Sequence, residues 1–446
     1  MVRHRKSRPL GRVLPLALGA ALLLQAGSAS ALGLVQAYEA ALQNDPLFRS
    51  ARAARDAGQE NRIMGRSNLL PSVNGSFSGS QNRNTQTIGK HEEPRDYLSR
   101  SSTLQVRQPL FNLDGLARYK QGVAQSNYAD MQYLSQSQEV ILRVTGAYLE
   151  VLLKKDQLAL AEAQRNTYLE QRKVNDRLFE KGEAAKTDML ETQARLDVAE
   201  AQVLEAQDDV NTALASLAGI IGGEPGELDT LSPDFRVKPA SGQGFEEWKR
   251  LALENNPDIK TLIYSVEIAR QEINKQRSGH APRIDLVGTY GKSVADSITT
   301  YNQETMVRSI GVQVNIPLYS GGAVSAATRQ AVANQEKAKA DLQTQTDKIT
   351  VELRRNYSQM SSSVTRIDAL MKSVDSSNLL IKATEQSIKG GVRINLDLLN
   401  AQQQLFTSKR DLAQARYNYL MATLRLRAAA GVLAYDDLRE VAANFR

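Results

Sequence analysis

Four stretches of the chain alternate apolar and polar residues, and long runs between them do not. Ile310, Val312, Val314, Ile316 and Leu318 fall on one face at period two. About 208 residues earlier, Leu104, Val106 and Gln108 alternate into Pro109-Leu110-Phe111. Ile284, Leu286, Gly288, Tyr290 and Val294 share a face opposite Arg283, Asp285 and Thr289, and Val73 and Phe77 alternate with Ser72, Asn74, Ser76 and Ser78. The pattern predicts strands over 71–83, 97–110, 282–294 and 305–318. Ten-odd residues with one apolar and one polar side suit a transmembrane barrel strand, and equally a soluble antiparallel sheet lying on a core. Four strands cannot close a barrel, and lipid does not tolerate an open edge. Either the sheet is soluble, or several chains share one barrel.

The remaining runs have helical composition. From Ala323 no Gly or Pro occurs for more than 60 positions, and Ala, Gln, Lys, Glu and Asp dominate. Helices are predicted over 34–66, 116–180, 184–218, 245–278, 323–388 and 394–430, with turns at Lys181-Gly182-Glu183 and Lys389-Gly390-Gly391. At 1.5 Å per residue, helix 116–180 is about 98 Å long, beyond the ordinary globular range. The two shorter helices beside it would match it when stacked end to end. The expected class is therefore mixed α and β, with one continuous helix beside one broken helix in each half.

The chain also aligns on itself. At an offset of 211, ALQNDPLFRSA (41–51) superposes on ALENNPDIKTL (252–262) and Pro71 on Pro282. Pro109 then falls on Pro317 and Tyr148 on Tyr357, and KGEAAKTDMLETQ (181–193) matches KGGVRINLDLLNAQ (389–402) with one insertion. The expected organisation is repeat 1 over 32–221, a connector over 222–244, repeat 2 over 245–433 and a tail over 434–446.

Charge and composition narrow the compartment. Arg3, Arg5, Lys6, Arg8 and Arg12 precede an apolar run from Val13 to Leu24 and a small-residue end at Ala29-Ser30-Ala31, the design of a secretory signal over 1–31. Without those five cations 51 basic residues face 49 acidic ones, so the pI of 9.3 does not point to nucleic acid. No other stretch is apolar enough for a spanning helix, which argues against a helical inner-membrane protein. There is no cysteine, hence no disulfide scaffold and no acylated N-terminal cysteine; a membrane location would require insertion.

Chemistry-bearing motifs are missing. His91 and His280 are the only histidines after the signal, and HEEPR (91–95), expected in an outer loop, lacks the second histidine of a zinc-protease helix. With no phosphate loop or nucleophile elbow either, neither an enzyme nor a cofactor is expected.

The NDP of 44–46 and NNP of 255–257, the junctions QPLF (108–111) and IPLYSGG (316–322), the two turn regions and RDLAQARYNYLMATLRLRAAAG (410–431) together resemble the TolC family of outer-membrane channel-tunnels, over essentially the whole chain after the signal. The resemblance implies a homotrimer whose twelve strands form one barrel in outer-membrane lipid and continue into a periplasmic helical tunnel. Pro109, Pro317, Gly321 and Gly322 would mark the barrel–tunnel junction, where proline ends pairing by removing a donor. Asp397 matches an aspartate of a cation-attracting ring at the periplasmic entrance, and Asn400 replaces the second aspartate of the best-known member. Read without the family, Asp397 complements a helix N-terminus. Asp188, Arg393 and Thr187 match polar links that hold the entrance closed, while a tyrosine used there is Ile388 in this chain. Gly182, Glu183, Gly390, Gly391 and Val392 match the turns on which a periplasmic adaptor docks.

The functional expectation is the exit duct of type I secretion, recruited by an inner-membrane ABC transporter and an adaptor to pass unfolded protein. A multidrug efflux duct, with a drug–proton antiporter in place of the ABC transporter, is the second reading. A soluble periplasmic scaffold of long helices is the third.

Overall fold

The computed structural model describes residues 31–183, 185–232, 235–237, 244–295 and 303–446. The predicted signal up to Ser30 lies outside them, as do Ala184 and part of the connector. In chain order the elements are α1 (Leu34–Asn44), α2 (Pro46–Ser67), β1 (Ser72–Ile88), β2 (His91–Phe111), α3 (Leu113–Glu180) and α4 (Lys186–Ile221). There follow α5 (Phe245–Asn255), α6 (Pro257–Arg277), β3 (Arg283–Ala295), β4 (Gln303–Asn315), α7 (Ala323–Lys389), α8 (Asn395–Ala429) and α9 (Tyr435–Ala442).

The expected helices 34–66 and 245–278 are each two helices. Proline at a first helical position lacks the N–H that a continuous helix needs and drives the residue before it out of the helical region. Asp45 and Asn256 occupy that preceding position. The Asp45 carboxylate accepts from the Leu47 N–H at 2.9 Å, and the Asn256 Oδ1 accepts from the Asp258 and Ile259 N–H groups at 2.9 and 3.1 Å. Each side chain thus starts the helix that its proline interrupted.

The 68 residues of α3 give it a length of about 102 Å. Along its first half α2 runs antiparallel to it, so close that a Cβ on Gly122 would lie 2.3 Å from the Asn61 carbonyl. Along its second half it pairs with α4, tied by Lys154 to Asp209 at 2.7 Å. On its other side α6 packs on α3, with Ser135 Oγ donating to Asp258 at 2.6 Å. The 67-residue α7 runs beside α6 and α8 in the same way.

The main hydrophobic core is a belt halfway down this stack. Leu34 of α1, Val144 and Tyr148 of α3, Leu217 of α4, Leu424 of α8 and Leu438 of α9 meet there, all fully buried. Each contributes about 1.5–3 kcal/mol by leaving water. Both ends of the described chain clip onto the connector in this belt. The Leu32 N–H donates to the Glu227 carbonyl at 2.6 Å, and Arg446 exchanges backbone hydrogen bonds with Thr230 at 3.0 Å each way.

The four strands form one antiparallel sheet in the order β1-β2-β3-β4, with all four helix connections at one end. Register places Val73, Phe77, Leu104, Val106, Leu286, Tyr290, Ile310, Val312 and Val314 on one face, where Phe77 and Ile310 are more than 75% exposed. Ser72, Asn74, Ser76, Gln105, Thr103, Asp285, Thr289 and Gln313 share the other face. Among the described residues no helix is long and apolar enough to cross a membrane; the sheet is the element with a lipid-compatible surface.

Several boundaries differ from expectation. β1 and β2 continue to the two-residue turn Gly89-Lys90, so His91 opens a strand opposite Ile88 instead of lying in a loop. Proline does not end pairing at Pro109: that residue pairs with Asp285, a one-residue bulge follows, and Phe111 pairs with Ile284. A bulge tolerates the missing donor by letting one residue drop out of the ladder. β4 ends at Asn315, two residues before Pro317 and short of the expected 318. Leu318 and Tyr319 are then about 90% exposed, and Gly321 and Gly322 turn the chain into α7 with φ of 59° and 80°.

Candidate functional site

The far ends of the two helical hairpins carry most of the residues singled out from the sequence. In the first, α3 stops at Glu180, Gly182 has φ 74°, and the Glu183 N–H donates to the Leu178 carbonyl at 2.8 Å. In the second, α7 stops at Lys389, Gly391 has φ 71°, and the Val392 N–H donates to the Ser387 carbonyl at 2.9 Å. Both turns thereby satisfy carbonyls that a helix end leaves open. Gly182, Glu183, Gly390, Gly391 and Val392 are exposed, with Val392 at 82%.

The two aspartates sit in first turns. The Asp188 carboxylate reaches back to the Ala185 N–H at 3.3 Å and so caps α4, and Thr187 beside it is exposed. Asp397 occupies the first turn of α8, where a carboxylate complements the helix dipole. Arg393 is exposed and has no ion pair among the described residues of one protomer. Asn400 is held: the Arg195 guanidinium donates to its Oδ1 at 3.0 Å, joining α4 to α8.

That last contact belongs to a polar seam between the α3–α4 hairpin and α8, which the sequence reading missed. Nearest the belt, the Tyr417 hydroxyl donates to Asp156 at 2.8 Å. Burial, followed by the Asp156 charge, pushes this phenol well above its ordinary value. Further down, Gln164 Nε2 and the Tyr168 hydroxyl both donate to Gln403 Oε1, at 2.7 and 3.1 Å. Nearest the turns, Asn395 accepts from Gln171 at 3.1 Å and donates to Thr192 at 3.1 Å, while Asn175 donates to the same Thr192 hydroxyl at 2.8 Å. From Asp156 to Asn175 the seam extends about 28 Å along α3. Its signal was present: Gln164, Tyr168, Gln171 and Asn175 follow the four–three–four spacing of coiled-coil core positions, mostly filled with polar side chains.

The seam's composition bears on what it can do. Among the described residues Tyr417 joins the main core, Tyr168, Leu196, Ala199 and Leu399 form a small apolar cluster, and side-chain hydrogen bonds run along the rest of the seam. A hydrogen bond lost to water costs only about 0.5–1.5 kcal/mol net, because water replaces the partner. A surface of this kind separates and rejoins more readily than a greasy one. Among the described residues no cluster of His, Cys, Asp or Glu is arranged to hold a metal ion.

Comparison with known proteins agrees with this architecture. The outer membrane efflux protein family matches residues 37–223 and 248–432. The chain is 44% identical over 433 residues to the alkaline protease secretion protein AprF of Pseudomonas aeruginosa, covering 96% of this chain and 90% of that one. It is 38% identical to the proteases secretion protein PrtF of Dickeya chrysanthemi, covering 95% and 94%. The crystal structure of the outer membrane protein VceC from Vibrio cholerae superposes with a TM-score of 0.77 at 17% identity, over 89% of this chain and 96% of that one. With a sheet that is apolar on one side, tall paired helices below it and family matches in both halves, this chain belongs to the outer membrane efflux protein family.

Proposed function

We propose that this outer-membrane channel protein is the exit duct of a type I secretion system and that its cargo is an unfolded secreted protein, a protease in the first instance. The observation that carries this reading is the near full-length similarity to two proteins named for protease secretion. Three copies, each contributing four strands, make a closed twelve-stranded barrel and leave no edge in lipid. The chain supplies no energy and no catalysis. An inner-membrane ABC transporter drives export, and a periplasmic adaptor engages the exposed turns at Gly182-Glu183 and Gly390-Gly391-Val392.

The entrance is gated where the hairpins end. Three copies of Asp397 form a cation-attracting ring. Asn400, bound by Arg195 in its own protomer, takes no part as a charge. Arg393, exposed and without an ion pair among the described residues of its protomer, reaches the neighbouring copy's Asp188 and Thr187 and holds the entrance shut. Adaptor binding favours a state in which α7 and α8 swing away and the polar seam opens, a shift between two populations.

The deciding experiment expresses the chain with a protease-secreting ABC transporter and its adaptor in a host lacking its own duct. Extracellular protease is the expected result. Restored drug resistance without extracellular protease would replace secretion with efflux, which then needs a drug–proton antiporter as the inner-membrane partner. For the gate, Arg393→Ala should raise single-channel conductance severalfold, and unchanged conductance would remove Arg393 from it.

A further inference from the structure

Besides Arg83, which pairs with Asp96 near the hairpin tip, the lipid-compatible face of the sheet carries three cations that neither the duct nor its gate uses. Register places Lys292 of β3 between Ser102 of β2 and Met306 of β4. Arg100 lies two residues from Ser102 toward the hairpin tips, and Arg308 two residues from Met306 toward the helices. Arg100, Lys292 and Arg308 therefore form one diagonal across three adjacent strands on the apolar side. From strand spacing and rise, the Cα atoms of Arg100 and Arg308 are about 16 Å apart.

Cations on this face collect at one end of it. Below Arg308, toward the helices, the same face carries Ile310, Val312, Val314, Leu286 and Ile284, with no Lys or Arg. All four strands join helices at that lower end, so the diagonal lies at the outer margin of the apolar band. A basic side chain is costly at the bilayer midplane and nearly free at its margin.

The three are not equivalent. Lys292 is neutralised by Glu304 at 2.6 Å. Arg308 lies over the Tyr290 ring at 5.7 Å and donates to the Met306 sulfur at 3.4 Å, with no carboxylate partner among the described residues. Arg100 is exposed, has no partner among the described residues, and is flanked in register by Gly79 and Val294. Gly79 has no side chain to fill the space beside it, which leaves a notch next to an unpaired guanidinium. Guanidinium groups bind phosphate oxygens in pairs, and an aromatic ring beneath one fixes its plane.

We propose that Arg100 and Arg308, with Lys292 between them, bind the phosphate groups of a phosphorylated glycolipid headgroup in the outer leaflet. The apolar residues below take its acyl chains: Ile310 and Phe77 are the most exposed apolar side chains of the sheet. A lipid is the occupant, and not a soluble anion, because the cations open onto the apolar face. Glu304 repels a phosphate from the Lys292 position, so the two arginines do most of the binding.

The test uses the full-length protein after signal removal, purified in detergent and examined by native mass spectrometry. The probes are a diglucosamine lipid carrying two phosphates, the same lipid without phosphates, and inorganic phosphate as competitor. The wild-type protein should retain the bisphosphorylated lipid, retain the phosphate-free lipid about tenfold less, and release neither to millimolar phosphate. Arg100→Gln combined with Arg308→Gln should lower retention of the bisphosphorylated lipid about tenfold and leave the phosphate-free lipid unaffected. Equal retention of the two lipids, or displacement by inorganic phosphate, would overturn the proposal. If the double variant does not fold, salt on wild type decides. Retention of the bisphosphorylated lipid should fall as salt screens the arginines, and retention insensitive to salt overturns the site.

Discussion

The two interrupted helices solve one problem in different ways. In the first half the work is divided: Asn44 Nδ2 donates to the Ile221 carbonyl at the end of α4, at 2.8 Å, while Asp45 caps α2 and pairs with Arg143 of α3. In the second half Asn256 does both jobs, capping α6 and donating to the Ala429 carbonyl at 2.9 Å. Asp45 is 3% exposed, so the first half contains a buried ion pair where the second has neutral hydrogen bonds. Glu352, which the repeat places near the position of Arg143, is largely exposed. Geometry was retained between the halves while the means of satisfying the buried groups changed.

The largest effect should come from removing the charge. Asp45→Ala leaves the half-buried Arg143 without a carboxylate and α2 without its cap, and should cost about 3 kcal/mol in a denaturant titration. Asn256→Ala should cost about 1–3 kcal/mol, a cap and one further bond. Equal costs would break the distinction between the halves. The glycines ending the return helices sharpen it. Gly222 and Gly431 have φ of 81° and 71°, and each lies against its half's kink. A Cβ on Gly431 would be 2.4 Å from the Asn256 backbone nitrogen, and on Gly222 it would be 2.5 Å from the Asn44 Cβ, whose amide could turn away only by giving up its bond to Ile221. Gly431→Ala, against backbone atoms alone, should therefore cost about 3 kcal/mol, and Gly222→Ala slightly less, about 2–3 kcal/mol.

The smallest effect concerns another matched pair. Tyr148 donates to the Leu32 and Asp229 carbonyls at 2.9 and 3.1 Å, while Tyr357, its counterpart, rests edge-on against Phe245. Burial, with help from the Asp229 charge, pushes the Tyr148 phenol well above its ordinary value of 10.0. The unfolded chain gives up this proton first, so the stabilisation is complete below about pH 10 and is lost as pH rises beyond it. Tyr148→Phe should cost about 1–2 kcal/mol at neutral pH and flatten the alkaline fall in melting temperature. An unchanged alkaline slope would place that sensitivity elsewhere.

What was legible in the sequence follows from how strongly each feature depends on periodicity. The faces of β3 and β4 could be read because Ile284, Leu286, Tyr290 and Val294, and Ile310, Val312 and Val314, recur at period two against mostly polar or small residues. The upper parts of β1 and β2 could not, because Thr85, Gln86, Thr87, Glu92 and Glu93 are polar on both faces and carry no alternation. The long helices could be read from composition, yet the breaks at Asp45 and Asn256 were passed over although Asn-Asp-Pro and Asn-Asn-Pro mark them. At the entrance the glycine turns were visible. The seam was not, since Gln171, Thr192 and Asn395 come from three helices and none looks unusual alone.

The β2–β3 pairing has a consequence for how the molecule is made. Ser99 pairs with Ala295 and Phe111 with Ile284, so every row of this ladder joins residues more than 170 positions apart. Closing so long a loop is slow, because the chain's freedom is surrendered before any contact returns it. The first hairpin must therefore wait, its β2 edge unpaired, until the second has been made. During that interval the open edge is exposed to wrong pairing and aggregation, a hazard that ends for this edge when the two halves meet.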